Sequence, residues 1–221
     1  MALALLALAP APFTACSSES AAPPPRTAVF IGDSYTAGDG GGGLRWTQLV
    51  ADREGWQEVN LARGGTAFEA TSDAKGCGLA FCPNYGEMIP EAVKSNPDVV
   101  VISGGRNDAS QYEDALSARR EFAAIEATFD SLRGALPNAE IYAVSPVWDD
   151  DPAPNSIALM GRDVQAAVTK VGGTYLDIGE PLAGRPDLMS SDGVHPNDQG
   201  YRVIAIAVGA KLNQTGKDTA G

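Results

Sequence analysis

The chain has 221 residues, which is enough for one α/β domain with a full hydrophobic core and not comfortably enough for two. Its hydrophobic share of 44% is ordinary for a globular protein. The 28 acidic residues outnumber the 16 basic ones, so the net charge is -12, and no basic run occurs. Because phosphate binding depends on clustered Lys and Arg, this composition argues against nucleic acid and anionic lipid as partners.

The first 15 residues are apolar and lead directly into Cys16. This run is too short to span a bilayer, which needs about 20 apolar residues, but it has the length of the apolar region of a signal peptide. Ala15 and the Ser- and Pro-rich run of residues 17–25 resemble a bacterial lipoprotein signal, in which the cysteine is lipidated and a tether follows. No Lys or Arg precedes Arg26, so cleavage near Ala15 with free secretion is the alternative. Both interpretations predict export.

The other two cysteines, Cys77 and Cys82, lie close together in a glycine-rich stretch. In an oxidising compartment this pair would close a small loop and stabilise the fold by about 2–3 kcal/mol at best. A zinc site would need more ligands than the chain supplies, since His195 is its only histidine. The sequence therefore predicts a disulfide here and no metal site.

Apolar runs and helical patterns alternate along the rest of the chain. Short apolar runs predict strands at residues 28–31, 58–61, 99–103, 141–144 and 174–177. Periodic runs between them predict helices at residues 44–54, 114–136, 156–171 and 198–212. The longest of these carries apolar residues at helical spacing, namely Phe122, Ile125, Phe129, Leu132 and Leu136.

Strands that are buried on both faces and separated by helices imply a parallel sheet with right-handed crossovers. The sequence therefore predicts an α/β fold, a three-layer α/β/α sandwich around a five-stranded parallel sheet of the flavodoxin-like type. In such a sheet, ligands bind beyond the carboxyl ends of the strands, where the strand order reverses. With the order 2-1-3-4-5, the loops after Ile31 and Ser103 meet at that reversal. The predicted organisation is a signal segment (1–16), a flexible tether (17–26), one domain (27–214) and a disordered tail (215–221).

The loop after the first strand reads Gly32-Asp33-Ser34. Gly32 lets the chain turn sharply off the strand, which leaves Ser34 near the start of the next helix with its hydroxyl above the sheet. A serine needs a positioned base to act as a nucleophile. The triplet alone is common turn and N-cap chemistry, so its interpretation depends on what else reaches this edge of the sheet.

The loop after the third strand reads Gly104-Gly105-Arg106-Asn107-Asp108. Its glycines permit a close approach of the backbone to a ligand, and the Asn107 amide could donate to a developing oxyanion. Taken alone, the loop reads as a turn with a helix N-cap. Its predicted position opposite Ser34 favours the functional interpretation.

The only histidine lies in the polar run Ser190-Ser191-Asp192-Gly193-Val194-His195-Pro196-Asn197. Asp192 precedes His195 by three residues, so one tight turn brings its carboxylate to the imidazole Nδ1. This contact fixes the tautomer and leaves Nε2 to take the proton of Ser34. We therefore predict Ser34 as the nucleophile, with Asp192 and His195 as its base pair.

The strings Gly32-Asp33-Ser34, Gly105-Arg106-Asn107-Asp108 and Asp192-Gly193-Val194-His195-Pro196 resemble blocks I, III and V of the SGNH/GDSL hydrolases, in the order of that family. The resemblance covers the chain from about residue 28 to residue 212. Block II of that family is a glycine that follows an Asn after the second strand. The string Asn60-Leu61-Ala62-Arg63-Gly64-Gly65-Thr66 fits it, with Gly65 as the counterpart and Gly64 as the alternative.

The resemblance implies an oxyanion hole made of the N–H groups of Ser34 and Gly65 and the side chain of Asn107, and it implies no cofactor. It identifies the chain as a secreted or cell-surface serine esterase that hydrolyses carboxylic esters through an acyl-enzyme. A cell-surface O-acyltransferase that uses the same site is the main rival interpretation, and a non-catalytic binding module of the same fold is another. We expect a monomer.

The substrate is less well determined by the sequence. The chain has no room for a lid domain, which favours an open groove and short acyl esters or acetylated glycans, with lipid esters as the alternative. From their loop positions, Tyr35, Arg106 and Trp148 are candidate substrate-binding residues.

Two further motifs receive structural interpretations. Residues 38–43 satisfy the dinucleotide pattern G-x-G-x-x-G, but the pattern begins seven residues beyond Ile31 instead of directly after the strand. We therefore expect no NAD or FAD, and we interpret the glycine run as a flexible rim of the active site. The acidic run of residues 149–151 is interpreted as a solvated loop, with weak Ca²⁺ binding as the alternative.

Overall fold

The structure, a computed structural model, describes residues 23–218. Five parallel strands form one sheet in the order β2-β1-β3-β4-β5, which confirms the predicted order. The strands are β1 (Arg26–Gly32), β2 (Trp56–Asn60), β3 (Val99–Ser103), β4 (Glu140–Val144) and β5 (Thr174–Leu176). The predicted signal segment, Cys16 and most of the tether lie outside the described residues.

Six α-helices and two 3₁₀ helices accompany the sheet in the described part of the chain. The α-helices are α1 (Ser34–Ala37), α2 (Trp46–Glu54), α3 (Tyr85–Lys94), α4 (Ala115–Ala135), α5 (Asn155–Lys170) and α6 (Asp198–Asp218). The 3₁₀ helices are Arg106–Glu113 and Pro186–Leu188. Within residues 23–218, no helix has the length and hydropathy that crossing a membrane requires.

Alternating strand residues face two separate cores, as a sheet covered on both faces requires. Val29 and Ile31 of β1 face the core formed with α3, α4 and α5. Ala28 and Phe30 face the core formed with α2 and α6. The central strand β3 is buried along its whole length. The three-layer α/β/α sandwich predicted from the sequence is therefore confirmed.

One helix, α3, is absent from the predicted elements. The sequence signal for it was present, because Asn84 and Glu87 form a capping box: Asn84 Oδ1 accepts from Glu87 N at 3.0 Å, and Glu87 Oε2 accepts from Asn84 N at 3.2 Å. Pro90 lies inside the helix and weakens the helical pattern there.

The buried face of α4 differs by one residue from the predicted stripe. Ile125, Phe129 and Leu132 are buried as predicted, but the stripe continues towards the N-terminus through Glu121, which lies four residues before Ile125. Phe122, which was predicted to lie in the core, is only half-buried. A hydrophobicity pattern misses this register because the residue at the buried position is a carboxylic acid.

Both ends of the described domain are longer than predicted. Strand β1 begins at Arg26, inside the predicted tether, because its first residues pair with β2. Helix α6 continues through Asp218, so the prediction of a disordered tail is wrong for residues 215–218. The last three residues of the chain lie outside the described residues.

The predicted disulfide is present: Cys77 and Cys82 are joined, with their Cα atoms 6.5 Å apart. Cys82 also forms an antiparallel bridge with Ser72, with backbone hydrogen bonds of 2.8 and 2.9 Å. A Cβ built on Gly65 would lie 2.6 Å from the Ser72 hydroxyl. The disulfide therefore closes a segment that packs against the loop after β2.

Removal of this disulfide should cost little stability because the loop it closes is short. We expect the double variant Cys77→Ser/Cys82→Ser to lose about 2 kcal/mol of unfolding free energy in urea titrations. Dithiothreitol should shift the urea unfolding curve of the wild type towards that of the double variant. It should leave the curve of the double variant unchanged. Equal stability of the oxidised wild type and the double variant would contradict the expectation.

Candidate active site

Ser34 is the first residue of α1 and lies directly after the end of β1. The chain turns at Gly32, where a Cβ would collide with the Ser103 carbonyl oxygen and with the side chain of Thr36. Asp33 caps the helix, and its Oδ1 accepts from Tyr35 N at 3.0 Å. Ser34 is thereby held at the carboxyl edge of the sheet, beside the end of β3.

The cap residue Asp33 is fully buried, and burial raises its pKa to about 6, an effect that the nearby Arg106 partly offsets. Its Oδ2 has no hydrogen-bond partner among the described residues. Asp33 therefore caps α1 through Oδ1 only.

Asp192 and His195 form the predicted hydrogen bond, with Asp192 Oδ2 2.8 Å from His195 Nδ1. The other oxygen, Oδ1, accepts from the N–H groups of Val194 and His195 and from the hydroxyl of Ser190 at 2.7–2.9 Å. These bonds, led by the one from His195 N, hold the pKa of Asp192 well below its usual range. Asp192 is therefore an ionised acceptor, and Nδ1 is the ring nitrogen that donates to it.

Tyr35 joins the histidine loop to the start of α1. Its hydroxyl donates to the Val194 carbonyl at 2.7 Å, and its ring centroid lies 6.1 Å from that of His195. Because Tyr35 follows Ser34 and Val194 precedes His195, this bond ties the segments that carry the hydroxyl and the imidazole.

The glycine run of residues 38–43 is packed against the histidine loop and is not the free rim expected from the sequence. A Cβ built on Gly40, whose φ is +79°, would lie 2.5 Å from the Cβ of His195. Gly42 N donates to Asp198 Oδ1 at 2.7 Å, which fastens the run to the start of α6. The glycines at this site therefore serve close packing.

The loops after β2 and β3 are bonded to each other beside Ser34. Arg63 N donates to the Gly32 carbonyl at 2.9 Å, which brings the β2 loop to the turn that precedes Ser34. Asn107 Nδ2 donates to the Thr66 carbonyl at 2.9 Å, and this bond fixes the orientation of the amide. The structure thus brings the segments of Ser34, Gly65 and Asn107 together.

The two candidate glycines of the β2 loop have different surroundings. Gly65 precedes the Thr66 carbonyl that Asn107 contacts, and it has a φ of +74°. Gly64 is buried, and a Cβ there would collide with the Gly76 carbonyl oxygen.

Arg106 lies between two aromatic rings, with its Cζ 4.5 Å from the ring centroids of both Tyr35 and Trp148. Its Nη2 donates to Asp149 Oδ1 at 3.0 Å. The three predicted substrate-binding residues therefore form one stack. The interpretation of residues 149–151 as a solvated loop is wrong for Asp149, whose side chain is only 17% exposed because it faces this guanidinium.

Residues 30–203 match the GDSL-like lipase/acylhydrolase family. The chain belongs to that family. It is therefore a carboxylic ester hydrolase, and the resemblance drawn from the sequence motifs is confirmed. The GDSL lipase Rv0518 of Mycobacterium tuberculosis is 32% identical over 190 residues, which cover 80% of this chain and 77% of that protein.

Solved structures with low sequence identity share the fold. The lipase Lip_vut3 from a goat rumen metagenome aligns with a TM-score of 0.65 at 16% identity, covering 84% of this chain and 97% of its own. The acetylxylan esterase Axe2 from Geobacillus stearothermophilus aligns with a TM-score of 0.59 at 21% identity, covering 85% and 94%. These two support the α/β/α architecture of the hydrolase.

Next to the β2 loop of this hydrolase lies an open groove of about 510 Å³. Asp39, Arg63, Gly64 and Leu79 are among its lining residues. Neither Asp39 nor Arg63 has an ion-pair partner within residues 23–218. Burial raises the pKa of Asp39, and the nearby His195 partly offsets this effect.

Sequence reasoning gave no role to Asp39 or Arg63. Both lie within motifs that are defined by their glycines, residues 38–43 and residues 60–66, and each looks like an ordinary loop charge. A second groove, of about 470 Å³, lies beyond the ends of β4 and β5 and does not include Ser34 or His195. In the part of the chain that the structure describes, no group of three or more His, Cys, Asp or Glu side chains is placed to hold a metal ion.

The contact between Gly40 and His195 can be tested with a matched pair of variants. Gly40→Ala should displace the imidazole of His195, the predicted base, and lower kcat/KM about 10–100-fold, since small misplacements of a base are costly. Gly43→Ala introduces the same methyl group at a similar positive φ of +104°, but nothing lies within 4 Å of its Cβ. It should therefore keep near-wild-type kcat/KM, although both variants lose about 1–2 kcal/mol of stability from backbone strain. Equal activity of the two variants would refute the steric explanation.

Proposed function

We propose that the protein is an exported serine esterase that cleaves carboxylic esters through an acyl-enzyme on Ser34. The observation that carries this proposal is the tie between the Asp192–His195 hydrogen bond and the start of α1, made by Tyr35 and the Val194 carbonyl. Because the chain belongs to a family of ester hydrolases, we interpret this arrangement as a nucleophile with its base.

The proposed mechanism begins when Ser34 Oγ attacks the ester carbonyl carbon and passes its proton to His195 Nε2. Asp192 remains ionised and stabilises the imidazolium that forms. The tetrahedral intermediate then collapses, the imidazolium donates its proton to the departing alcohol oxygen, and the acyl group stays on Ser34. Water activated by His195 attacks the acyl-enzyme and releases the carboxylic acid.

The negative charge on the carbonyl oxygen needs fixed donors, and we propose three. They are the N–H of Ser34, the N–H of Gly65 and the second amide hydrogen of Asn107. The bond from Asn107 to the Thr66 carbonyl supports this assignment, because it uses one amide hydrogen and orients the other. Donors held before the reaction stabilise the oxyanion without reorganising.

The charged lining of the groove next to the β2 loop favours a polar substrate. A long hydrocarbon chain lying there would bury the charges of Asp39 and Arg63 without ion-pair partners, which is costly. Hydroxyl groups could instead accept from the guanidinium and donate to the carboxylate. We therefore propose esters with a short acyl group and a hydroxylated alcohol part, such as acetylated glycans, as the substrate class. Axe2, which shares the fold, is named an acetylxylan esterase, whereas Rv0518 is named a lipase.

We further propose that the protein acts outside the cytoplasm, either secreted or anchored through lipidated Cys16. The Cys77–Cys82 disulfide supports an oxidising compartment. Its acidic net charge of -12 supports neither nucleic acid nor an anionic surface as a partner, and we propose that it acts as a monomer.

The direct test of this function uses a fluorophosphonate probe and a panel of esters. The folded wild type should be labelled on Ser34 and should prefer nitrophenyl acetate and acetylated sugars over long-chain esters, whereas Ser34→Ala should neither be labelled nor turn over any ester. Product analysis in the presence of a polyol separates hydrolysis, which releases acid, from transfer, which gives a new ester. Full activity of Ser34→Ala would overturn the proposal.

Asn107→Ala tests the oxyanion hole separately. Loss of one oxyanion donor should lower kcat by about 10²–10³-fold, with little change in KM, because the donor acts mainly on the charge that develops in the transition state. Steady-state kinetics on nitrophenyl acetate measure both parameters. A loss confined to KM would show that Asn107 binds the substrate instead.

A further inference from the structure

Glu121 is a carboxylic acid at the centre of the domain. It lies on the inner face of α4, one turn before Ile125, and its side chain is 0% exposed. Neither of its carboxyl oxygens meets an N–H or O–H donor within the described residues. The charged group that acts on it most strongly is the carboxyl of Asp108, and the two carboxyls can form a hydrogen bond only if one of them is protonated.

The surroundings of the two carboxyls favour Glu121 as the one that holds a proton. Asp108 already accepts two backbone N–H bonds, from Glu69 to Oδ2 at 2.9 Å and from Ala70 to Oδ1 at 3.0 Å, and such bonds favour its ionised form. Two ionised carboxylates have no hydrogen between them, so a bond between them requires one acid to be neutral. Glu121 is that acid, because no donor stabilises its charge.

The groups that face this pair are also acidic or neutral. They are Glu69 in the β2 loop, Tyr85 in α3, Tyr112 in the 3₁₀ helix Arg106–Glu113, and Asp163 in α5. Tyr112 donates its hydroxyl to Asp163 at 2.8 Å, and Arg119 and Arg120 of α4 point to solvent. Burial, followed by the charge of Asp108, raises the pKa of Glu121 to about 9.

The carboxyl of Asp108 is also the link between the two loops that supply the proposed oxyanion donors. It follows Asn107 directly, and the backbone groups that it accepts from belong to the same loop as Gly65. The bond from Asn107 to the Thr66 carbonyl runs between the same two loops. A group that holds Asp108 in place therefore holds both donors in place.

We propose that Glu121 is a positioning residue, which as a neutral acid donates a hydrogen bond to Asp108 and so fixes the geometry of the oxyanion hole. The effect on catalysis rests on the proposed function, since it acts through Asn107 and Gly65. Ionisation of Glu121 replaces the hydrogen bond with repulsion between two buried carboxylates. The link that Asp108 makes between the loops of Gly65 and Asn107 is then weakened.

The proposal has a thermodynamic consequence that does not depend on catalysis. A Glu in the unfolded chain ionises near pH 4.3, whereas Glu121 in the folded protein keeps its proton up to about pH 9. Between these values the folded state binds more protons than the unfolded state, so stability falls as the pH rises through this window. Glu121→Gln carries an amide that donates to Asp108 and does not titrate, so this part of the pH dependence should disappear.

The experiment compares Glu121→Gln and Glu121→Leu with the wild type and with Glu126→Gln. Glu126 lies on the same helix at the surface, where it pairs with Lys170, and serves as the control. Melting temperatures are measured from pH 4 to 10, and kcat and KM for nitrophenyl acetate from pH 6 to 10. We expect Glu121→Gln to keep kcat at neutral pH, to lose less kcat than the wild type above pH 9, and to melt with a flatter pH profile.

The apolar variant should behave differently. Glu121→Leu removes the donor and should lower kcat about tenfold at neutral pH with little change in KM, because the oxyanion donors lose their alignment. Glu126→Gln should follow the wild type in every measurement. If the melting profiles of the wild type and Glu121→Gln run parallel over the whole pH range, Glu121 does not hold a proton and the inference is wrong.

The activity measurements separate the positioning role from simple structural support. Melting temperatures that follow the expected pattern, with unchanged kcat in all folded variants, would show a structural acid pair without a positioning role. Full turnover by Ser34→Ala would overturn the proposed function but would leave the melting test of Glu121 intact. The two failures are therefore distinguishable.

Discussion

The absence of a side chain at Gly32 is the constraint on which the rest of the site depends. Strands β1 and β3 are paired so that Gly32 lies opposite Ser103, and a Cβ at Gly32 would collide with the Ser103 carbonyl oxygen. Because the turn can lie this close to β3, helix α1 starts directly at the edge where the strand order reverses. The same Gly32 offers its carbonyl to Arg63 N and thereby receives the β2 loop. One backbone position thus brings the β2 loop and the end of β3 to the turn that carries Ser34.

The interior near this edge holds several acids and few cations. Asp33, Asp108 and Glu121 are fully buried, and the cation nearest to Asp33 is Arg106, which also pairs with Asp149. Burying an unpaired charge costs free energy, and this cost is reduced differently for the different acids. Asp33 and Asp108 accept backbone N–H bonds, whereas Glu121 is neutral. Each buried acid orients a loop that carries a proposed catalytic group. The fold therefore accepts the free-energy cost of burying these acids, and the catalytic groups are held in place.

The sequence was sufficient to predict what depends on periodicity and on short motifs. The parallel sheet and its layers follow from apolar runs separated by helices, and the strand order is the one assumed for a flavodoxin-like sheet. The Asp192–His195 contact follows from a spacing of three residues. What it could not predict depends on contacts between distant segments. The burial of Asp149 comes from Arg106, 43 residues away, and the packing of Gly40 comes from His195. The hydrophobicity pattern placed Phe122 in the buried stripe of α4 instead of Glu121. A local pattern cannot show that a buried acid will lie next to an acid of another segment.

Two aspartates, Asp33 and Asp192, belong to the proposed site, and their environments decide which of them can support the histidine. Asp33 is adjacent to Ser34 in sequence, but its Oδ1 accepts from Tyr35 N at the start of α1, and burial raises its pKa to about 6. Asp192 lies at the surface, where three donors besides the imidazole keep it ionised. A partner that must stabilise an imidazolium has to remain charged while the imidazole gains its proton. Asp192 meets that condition because its hydrogen bonds keep it ionised, whereas the side chain of Asp33 caps α1.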